Sequence, residues 1–183
     1  MNWQEKHLLR ALRHPDTLHK AFEELVKAHQ EPLYWHIRKM VALHDDANDI
    51  LQNTFIKAWK GIANFRGDSS LSTWLYRIAT NETLTFLEQK KQRAITLGND
   101  YQEELMQQIS ADPYFDGDQL QLTLQKAILT LPEKQRLIFN MKYFSDMTYE
   151  EISQILNTSV GALKASYHHA SKKIEEQIKA TIL

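Results

Sequence analysis

The 183-residue chain carries 22 Lys and Arg against 23 Asp and Glu, a net charge of −1, and has no cysteine. The lack of cysteine excludes disulfides, thiolate nucleophiles and cysteine-based zinc sites. A near-neutral chain does not coat DNA nonspecifically, so DNA binding must come from local patches or from a larger assembly.

The N-terminus is too polar for a secretory signal, and no apolar run approaches the roughly 20 residues that span a bilayer. We therefore expect a cytoplasmic protein without membrane insertion. The 5 Gly and 4 Pro, with apolar residues at helical spacing, predict an all-α fold. Metal-ligand spacings, Gly-rich phosphate loops and nucleophile motifs are all missing, so we expect no enzymatic activity, no cofactor and no metal.

The N-terminal part predicts a bundle of about four helices. Leucines at positions 8, 9 and 12 predict a short helix within residues 1–15. Asp16 is the expected N-cap of a second helix, which ends or kinks at Pro32. A further helix is expected from about Leu33.

The stretch from His44 to Phe86 predicts two amphipathic helices joined by a polar loop at residues 64–70. Trp74 lies on the apolar stripe of the second helix, so we interpret it mainly as a core residue. Tyr76 and Arg77 are predicted to lie off that stripe.

Residues 94–117 are acidic and have no sustained apolar stripe, so they predict an interdomain linker with one helical turn near Glu103–Gln108. A second domain follows, with an apolar stripe that begins at Leu120. Thr148 and Glu151 have the spacing of a helix capping box, and residues 157–159 form a turn before another helix. A short helix, a turn and a second helix predict a helix-turn-helix.

Both halves resemble the sigma-70 family in its extracytoplasmic-function (ECF) form. FEELVKAHQEPLYWHIRKMV and DANDILQNTFIKAWKGIANFRGDSSLSTWLYRIATNETL resemble sigma region 2, and LPEKQRLIFNMKYFSDMTYEEISQILNTSVGALKASYHHASKKI resembles region 4. Two regions in the right order are far more specific than one helix-turn-helix. The resemblance implies a region 2 domain at residues 1–93, a flexible linker at 94–117 and a region 4 domain at 118–183.

The implied function is promoter recognition and opening as a subunit of bacterial RNA polymerase. The partners implied are core polymerase, through its β′ clamp helices and β flap, promoter DNA, and an anti-sigma factor. The resemblance assigns core binding to the first helix of the central stretch, with the residues Asp46, Asp49, Ile50, Gln52, Asn53, Phe55 and Lys57. A plainer alternative, compensation of the helix dipole, explains Asp45 but not Asp49 or Gln52.

The loop and second helix of the central stretch are implied to capture a flipped base of the melted −10 element. Aromatic stacking provides roughly 1–3 kcal/mol per base, and basic groups hold the strand. The residues assigned to this surface are Phe65, Arg66, Asp68, Ser69, Ser70, Tyr76, Arg77, Asn81 and Thr85.

The second helix of the helix-turn-helix is expected to read the −35 element in the major groove. Its assigned residues are Ser159, Gly161, Ala162, Lys164, Ser166, His168, His169 and Lys172. The family's common pattern has arginines where this chain has Ser166 and His169, so we expect weak binding of isolated DNA. The alternative is a solvated helix face.

Two other functions stay open at this point. A stand-alone regulator would use the helix-turn-helix alone and bind operator DNA without polymerase. A sigma-like adaptor would bind polymerase or an anti-sigma factor without opening DNA.

Overall fold

The computed structural model describes residues 3–41, 43–110 and 119–182, and the regular secondary structure within these ranges is helical. The α-helices found there are α1 Trp3–Leu12, α2 Pro15–Arg38, α3 His44–Gly61, α4 Leu71–Thr96, α5 Tyr101–Ser110, α6 Gln119–Leu129, α7 Glu133–Tyr143, α8 Tyr149–Leu156 and α9 Val160–Ile182. A 3₁₀ turn, Ile62–Asn64, follows α3. The all-α prediction is confirmed. In the described part of the chain, no helix is both long and apolar enough to cross a membrane.

Helices α1 to α4 form the predicted N-terminal bundle. Its core contains Leu25, Ile37, Ala47 and Leu75, each fully or almost fully buried. The predicted extra helix at the N-terminus exists as α1, and Leu9 and Leu12 bury it against α2.

One continuous helix, α2, replaces the two helices predicted around Pro32, and its N-cap is His14 rather than Asp16. The predicted helix break at Pro32 was wrong, because the buried face of α2 continues on both sides of the proline, from Leu25 to Leu33 and Ile37. Burying each of these side chains contributes about 1.5–3 kcal/mol. Together they offset the loss of about 3 kcal/mol that an interior proline causes.

The linker contains more structure than the single predicted turn. Helix α4 continues to Thr96, and α5 occupies ten residues, Tyr101–Ser110. Leu105 is 2% exposed and packs against Leu129 of α6, so the start of the linker is attached to the C-terminal half. Residues 111–117 of the predicted linker, and the predicted start of the second domain at residue 118, lie outside the described residues.

Helices α6 to α9 form the C-terminal half around Ile128, Leu131, Phe139 and Ala170. Leu120, predicted to be on the apolar stripe, is instead 55% exposed. The helix-turn-helix is present as α8 and α9. The capping box is confirmed, because the Glu151 N–H donates to Thr148 Oγ1 and the Thr148 N–H donates to Glu151 Oε2.

The two halves share one apolar cluster. Leu137, Ile138 and Ile155 from the C-terminal half pack in the same cluster as the core of the N-terminal bundle. Asn140 Nδ2 donates to the backbone oxygen of Lys39 at 3.0 Å. Helix α8 of the helix-turn-helix also packs against α4, an arrangement that the local sequence patterns did not predict.

His36 links α2 to α4 inside the N-terminal bundle. Its side chain is 2% exposed, and its Nε2 shares a 3.0 Å hydrogen bond with Thr80 Oγ1. Burial, and then the positive charge of Lys39, lower the pKa of His36 from 6.5 to about 4. The imidazole is therefore neutral in the folded chain at neutral pH.

We expect this buried imidazole to make stability depend on pH. Between the unfolded pKa of 6.5 and the folded pKa of about 4, the unfolded chain binds the extra proton, so stability falls as pH falls. Between about pH 7 and about pH 5, protonation of His36 in the unfolded chain lowers the free energy of unfolding by about 2 kcal/mol. Urea unfolding at both pH values gives this change for the wild type and for His36→Gln. The contribution of His36 is the difference between the two changes. Equal losses in both proteins would contradict a neutral buried His36.

Candidate nucleic-acid and protein interfaces

Helix α3 presents a polar face opposite its buried stripe. Asp49, Gln52 and Asn53 are exposed on this face, whereas Ile50 is only 2% exposed and lies in the core. Ile56, one turn beyond Gln52, is 45% exposed. The face therefore combines one exposed isoleucine with carboxylate and amide groups.

Ion pairs to α4 border this face at both ends. Asp46 Oδ2 lies 2.5 Å from Lys90 Nζ, and Lys57 Nζ lies 2.5 Å from Glu82 Oε1. These pairs hold α3 against α4. They also engage two of the charges assigned to core binding, so Asp49, Gln52 and Asn53 form the centre of the face.

The loop between α3 and α4, which we call the −10 loop (residues 65–70), is fixed by local contacts. The Phe65 ring packs against Trp74, with centroids 5.1 Å apart. Gly67 has φ +84°, a left-handed conformation that glycine adopts without strain. Ser70 is the N-cap of α4, and its Oγ accepts a hydrogen bond from the Thr73 N–H at 3.0 Å. Arg66 and Asp68 are exposed between these anchors.

Tyr76 was predicted to lie off the buried stripe, and that prediction is wrong. The side chain is 8% exposed, its ring lies 5.0 Å from that of His36, and burial raises the pKa of Tyr76. Helix α4 packs against α2, α3 and α8, so it is buried on more than one face. Trp74 is half-buried against the core, which fits the core interpretation.

Helix α9, which the sequence analysis assigns to the −35 element, begins after a tight turn. Asn157 adopts φ 49° and ψ 48°, the left-handed conformation that ends α8. Ser159 Oγ accepts from the Ala162 N–H at 3.4 Å, so this hydroxyl has a capping contact as well as an exposed position.

The remaining assigned residues of α9 form an exposed face. Gly161, Lys164, His168, His169 and Lys172 are exposed and Ser166 is half-buried. The ammonium of Lys164 lies 5.7 Å from the centre of the Tyr149 ring, which leaves it near the start of the helix, where base edges are read.

Residues assigned to the −10 element and residues assigned to the −35 element line one cavity. It has a volume of about 620 Å³, and its lining includes Arg77 and Asn81 from α4 and Ala162 and Ser166 from α9. Arg77 Nη2 donates to the backbone oxygen of Gln154 in α8 at 2.6 Å. Thr85 is exposed further along α4. The helix-turn-helix therefore covers part of the surface assigned to −10 DNA.

Sequence reasoning missed two side chains at these surfaces. Ile56 is an apolar residue off the buried stripe, and that position was the available signal. Lys134, an exposed cation of α7, lines the cavity beside Arg77, but no local pattern in α7 indicates that proximity. Over the described ranges, no group of three or more His, Asp or Glu is placed to hold a metal.

Comparisons with known proteins agree with this two-part architecture. The family model for sigma-70 region 2 matches residues 25–93, and the model for sigma-70 region 4 matches residues 121–174. The first match contains α3, the −10 loop and most of α4, and the second contains α7, α8 and the start of α9.

Relatives match over nearly their full lengths. The ECF RNA polymerase sigma factor SigW of Bacillus subtilis is 33% identical over 168 residues, which cover 87% of this chain and 89% of the relative. The RNA polymerase sigma-H factor of Pseudomonas aeruginosa is 28% identical, with coverage of 96% and 94%. The ECF sigma-E factor of Escherichia coli K12 is 29% identical, with coverage of 89% for both chains.

Two solved structures share the fold. CnrH in complex with the cytosolic domain of CnrY superimposes with a TM-score of 0.66 at 22% identity, covering 96% of this chain and 97% of that one. The sigma factor RpoE of Bartonella quintana, in complex with the anti-sigma factor NepR, superimposes with a TM-score of 0.67 at 24% identity. The match covers 87% of this chain and 98% of that one.

Proposed function

Because the chain belongs to the ECF subfamily of sigma-70 factors, we propose that it joins core RNA polymerase and directs it to promoters through three surfaces. The α3 face binds core polymerase, the −10 loop and α4 capture melted DNA, and α9 reads the −35 element. The observation that carries the proposal is the match of both regions, in order, to one chain.

Core binding by α3 is supported by the exposure of Asp49, Gln52 and Asn53 around Ile56. Carboxylate and amide groups give directional bonds at an interface, and a central apolar side chain adds buried area. We assign the β′ clamp helices as the docking site and the β flap as the contact of the C-terminal half. Because the proposed partner is core polymerase, we assign the protein to the cytoplasm.

DNA capture requires the two halves to separate. The −10 and −35 elements lie about 25 base pairs apart, which is roughly 85 Å of duplex at about 3.4 Å per base pair. In the free chain, Arg77 and Ser166 line one cavity of about 620 Å³. We propose that core polymerase binds the chain in an opened arrangement in which each surface faces its own element.

An anti-sigma factor is a further proposed partner. Both solved structures described above are complexes of such a fold with a partner protein. A partner that stabilises the packed arrangement would keep the DNA-reading surfaces together and block promoter binding.

We predict that Asp49→Ala/Gln52→Ala abolishes holoenzyme formation. The two side chains lie at the centre of the proposed docking face, and truncating such central residues costs about 2 kcal/mol or more each. Co-elution of the purified variant with core polymerase from a sizing column measures the loss.

Glu23→Ala/Gln30→Ala is the matched control, because it removes one carboxylate and one amide from an exposed face of α2. It should co-elute as the wild type does. Normal co-elution of the Asp49/Gln52 variant would refute the docking surface. Operator binding by the wild type without any co-elution would instead indicate a stand-alone regulator.

We predict that Lys164→Gln weakens promoter binding by the holoenzyme by about 1–3 kcal/mol without affecting core binding. A promoter fragment selected from the host's genomic DNA is the probe. If Lys164 contacts a phosphate, the slope of log affinity against log salt falls by about 0.9, whereas a guanine contact relaxes sequence preference. Lys179→Gln, at an exposed position near the end of the same helix, is the control. Equal affinities for both variants would contradict the assignment.

A further inference from the structure

Helix α1 lies outside the matched region 2, which begins at residue 25, yet it belongs to the bundle. Leu9 and Leu12 are 9% and 3% exposed and lie in the main apolar cluster. A helix fixed by buried leucines holds its polar side chains at defined positions relative to its neighbours.

Glu5 of α1 reaches the start of α4. Its Oε1 accepts a hydrogen bond from the backbone N–H of Leu71 at 2.6 Å, although the two residues are 66 positions apart. The Leu71 N–H is among the first four of its helix, which have no acceptor within the helix. A carboxylate is favoured there by its charge and by the helix dipole. Ser70 binds the Thr73 N–H, so two side chains cap α4, one of them from α1.

Leu71, the first residue of α4, directly follows the −10 loop. At the other end of the loop, the Phe65 N–H donates to the Ile62 oxygen at 3.1 Å, and the Phe65 ring packs on Trp74. The exposed Arg66 and Asp68 lie between these two anchors. The hydrogen bond from the Leu71 N–H to Glu5 therefore fixes the point at which the loop joins α4.

We propose that Glu5 is a positioning residue for capture of the −10 base. It acts through Leu71 and touches no DNA itself. A pocket that discriminates between bases needs its polar groups held within about 0.5 Å of the productive geometry. The cap from α1 provides that restraint at the exit of the −10 loop. This inference rests on the proposed function, because it assumes that the loop receives the base.

The test uses holoenzyme assembled from core polymerase and the full chain. The probe is a pool of forked DNA with a single-stranded tail randomised over the −10 element and without a −35 element. Affinity is measured on the pool, and base preference is read by sequencing the bound fraction. We expect Glu5→Ala to bind about tenfold more weakly and to lose base preference, since it removes a charge-assisted bond. Glu5→Gln keeps an oxygen that can accept the bond from the Leu71 N–H, so it should retain most of the affinity and most of the base preference.

Two controls separate positioning from general stability. Lys6→Ala changes an exposed neighbour on α1 and should behave as the wild type. Thr148→Ala removes a helix cap in the C-terminal half, a loss of similar size, and should keep the base preference. Unchanged affinity and preference in Glu5→Ala, or the same loss in Thr148→Ala, would overturn the inference alone. A wild-type chain that fails to join core polymerase would overturn the proposed function as well.

Discussion

The apolar contact between α4 and the helix-turn-helix determines how the free chain is arranged. Leu137, Ile138 and Ile155 complete a cluster that begins in the N-terminal bundle, and Arg77 and Asn140 add hydrogen bonds across the joint. Each buried aliphatic side chain contributes about 1.5–3 kcal/mol. The packed arrangement is therefore the stable state of the chain alone, and separation needs binding energy from a partner.

That requirement connects the three proposed surfaces. Asp49, Gln52 and Asn53 are exposed while the halves are packed, so the proposed docking face is accessible to core polymerase before the halves separate. The energy of that contact, and of a contact to the C-terminal half, can then offset the exposure of the shared cluster.

Local patterns predicted most of the helices and the helix-turn-helix, since apolar spacing and the Thr148–Glu151 capping box are short-range signals. The features that the local patterns did not predict depend on contacts between elements that are distant in the sequence. Pro32 did not break α2, because buried leucine and isoleucine side chains on both sides of it outweigh one lost hydrogen bond. Tyr76 is buried because α4 is covered on more than one face, and Leu105 is buried because α6 offers Leu129. The pairing of Glu5 with Leu71, across 66 positions, had no signal in sequence spacing.

The distance between the two halves tests the central claim most directly. The chain has no cysteine, so Lys27→Cys and Lys179→Cys, at exposed sites on α2 and α9, accept one spin label each. Double electron–electron resonance then gives the label distance in the free chain and in holoenzyme bound to promoter DNA. We predict one defined distance in the free chain and a lengthening by tens of ångströms, on the order of the promoter spacing, in the complex. An unchanged distance in a holoenzyme that opens promoters would contradict the claim that the halves must separate.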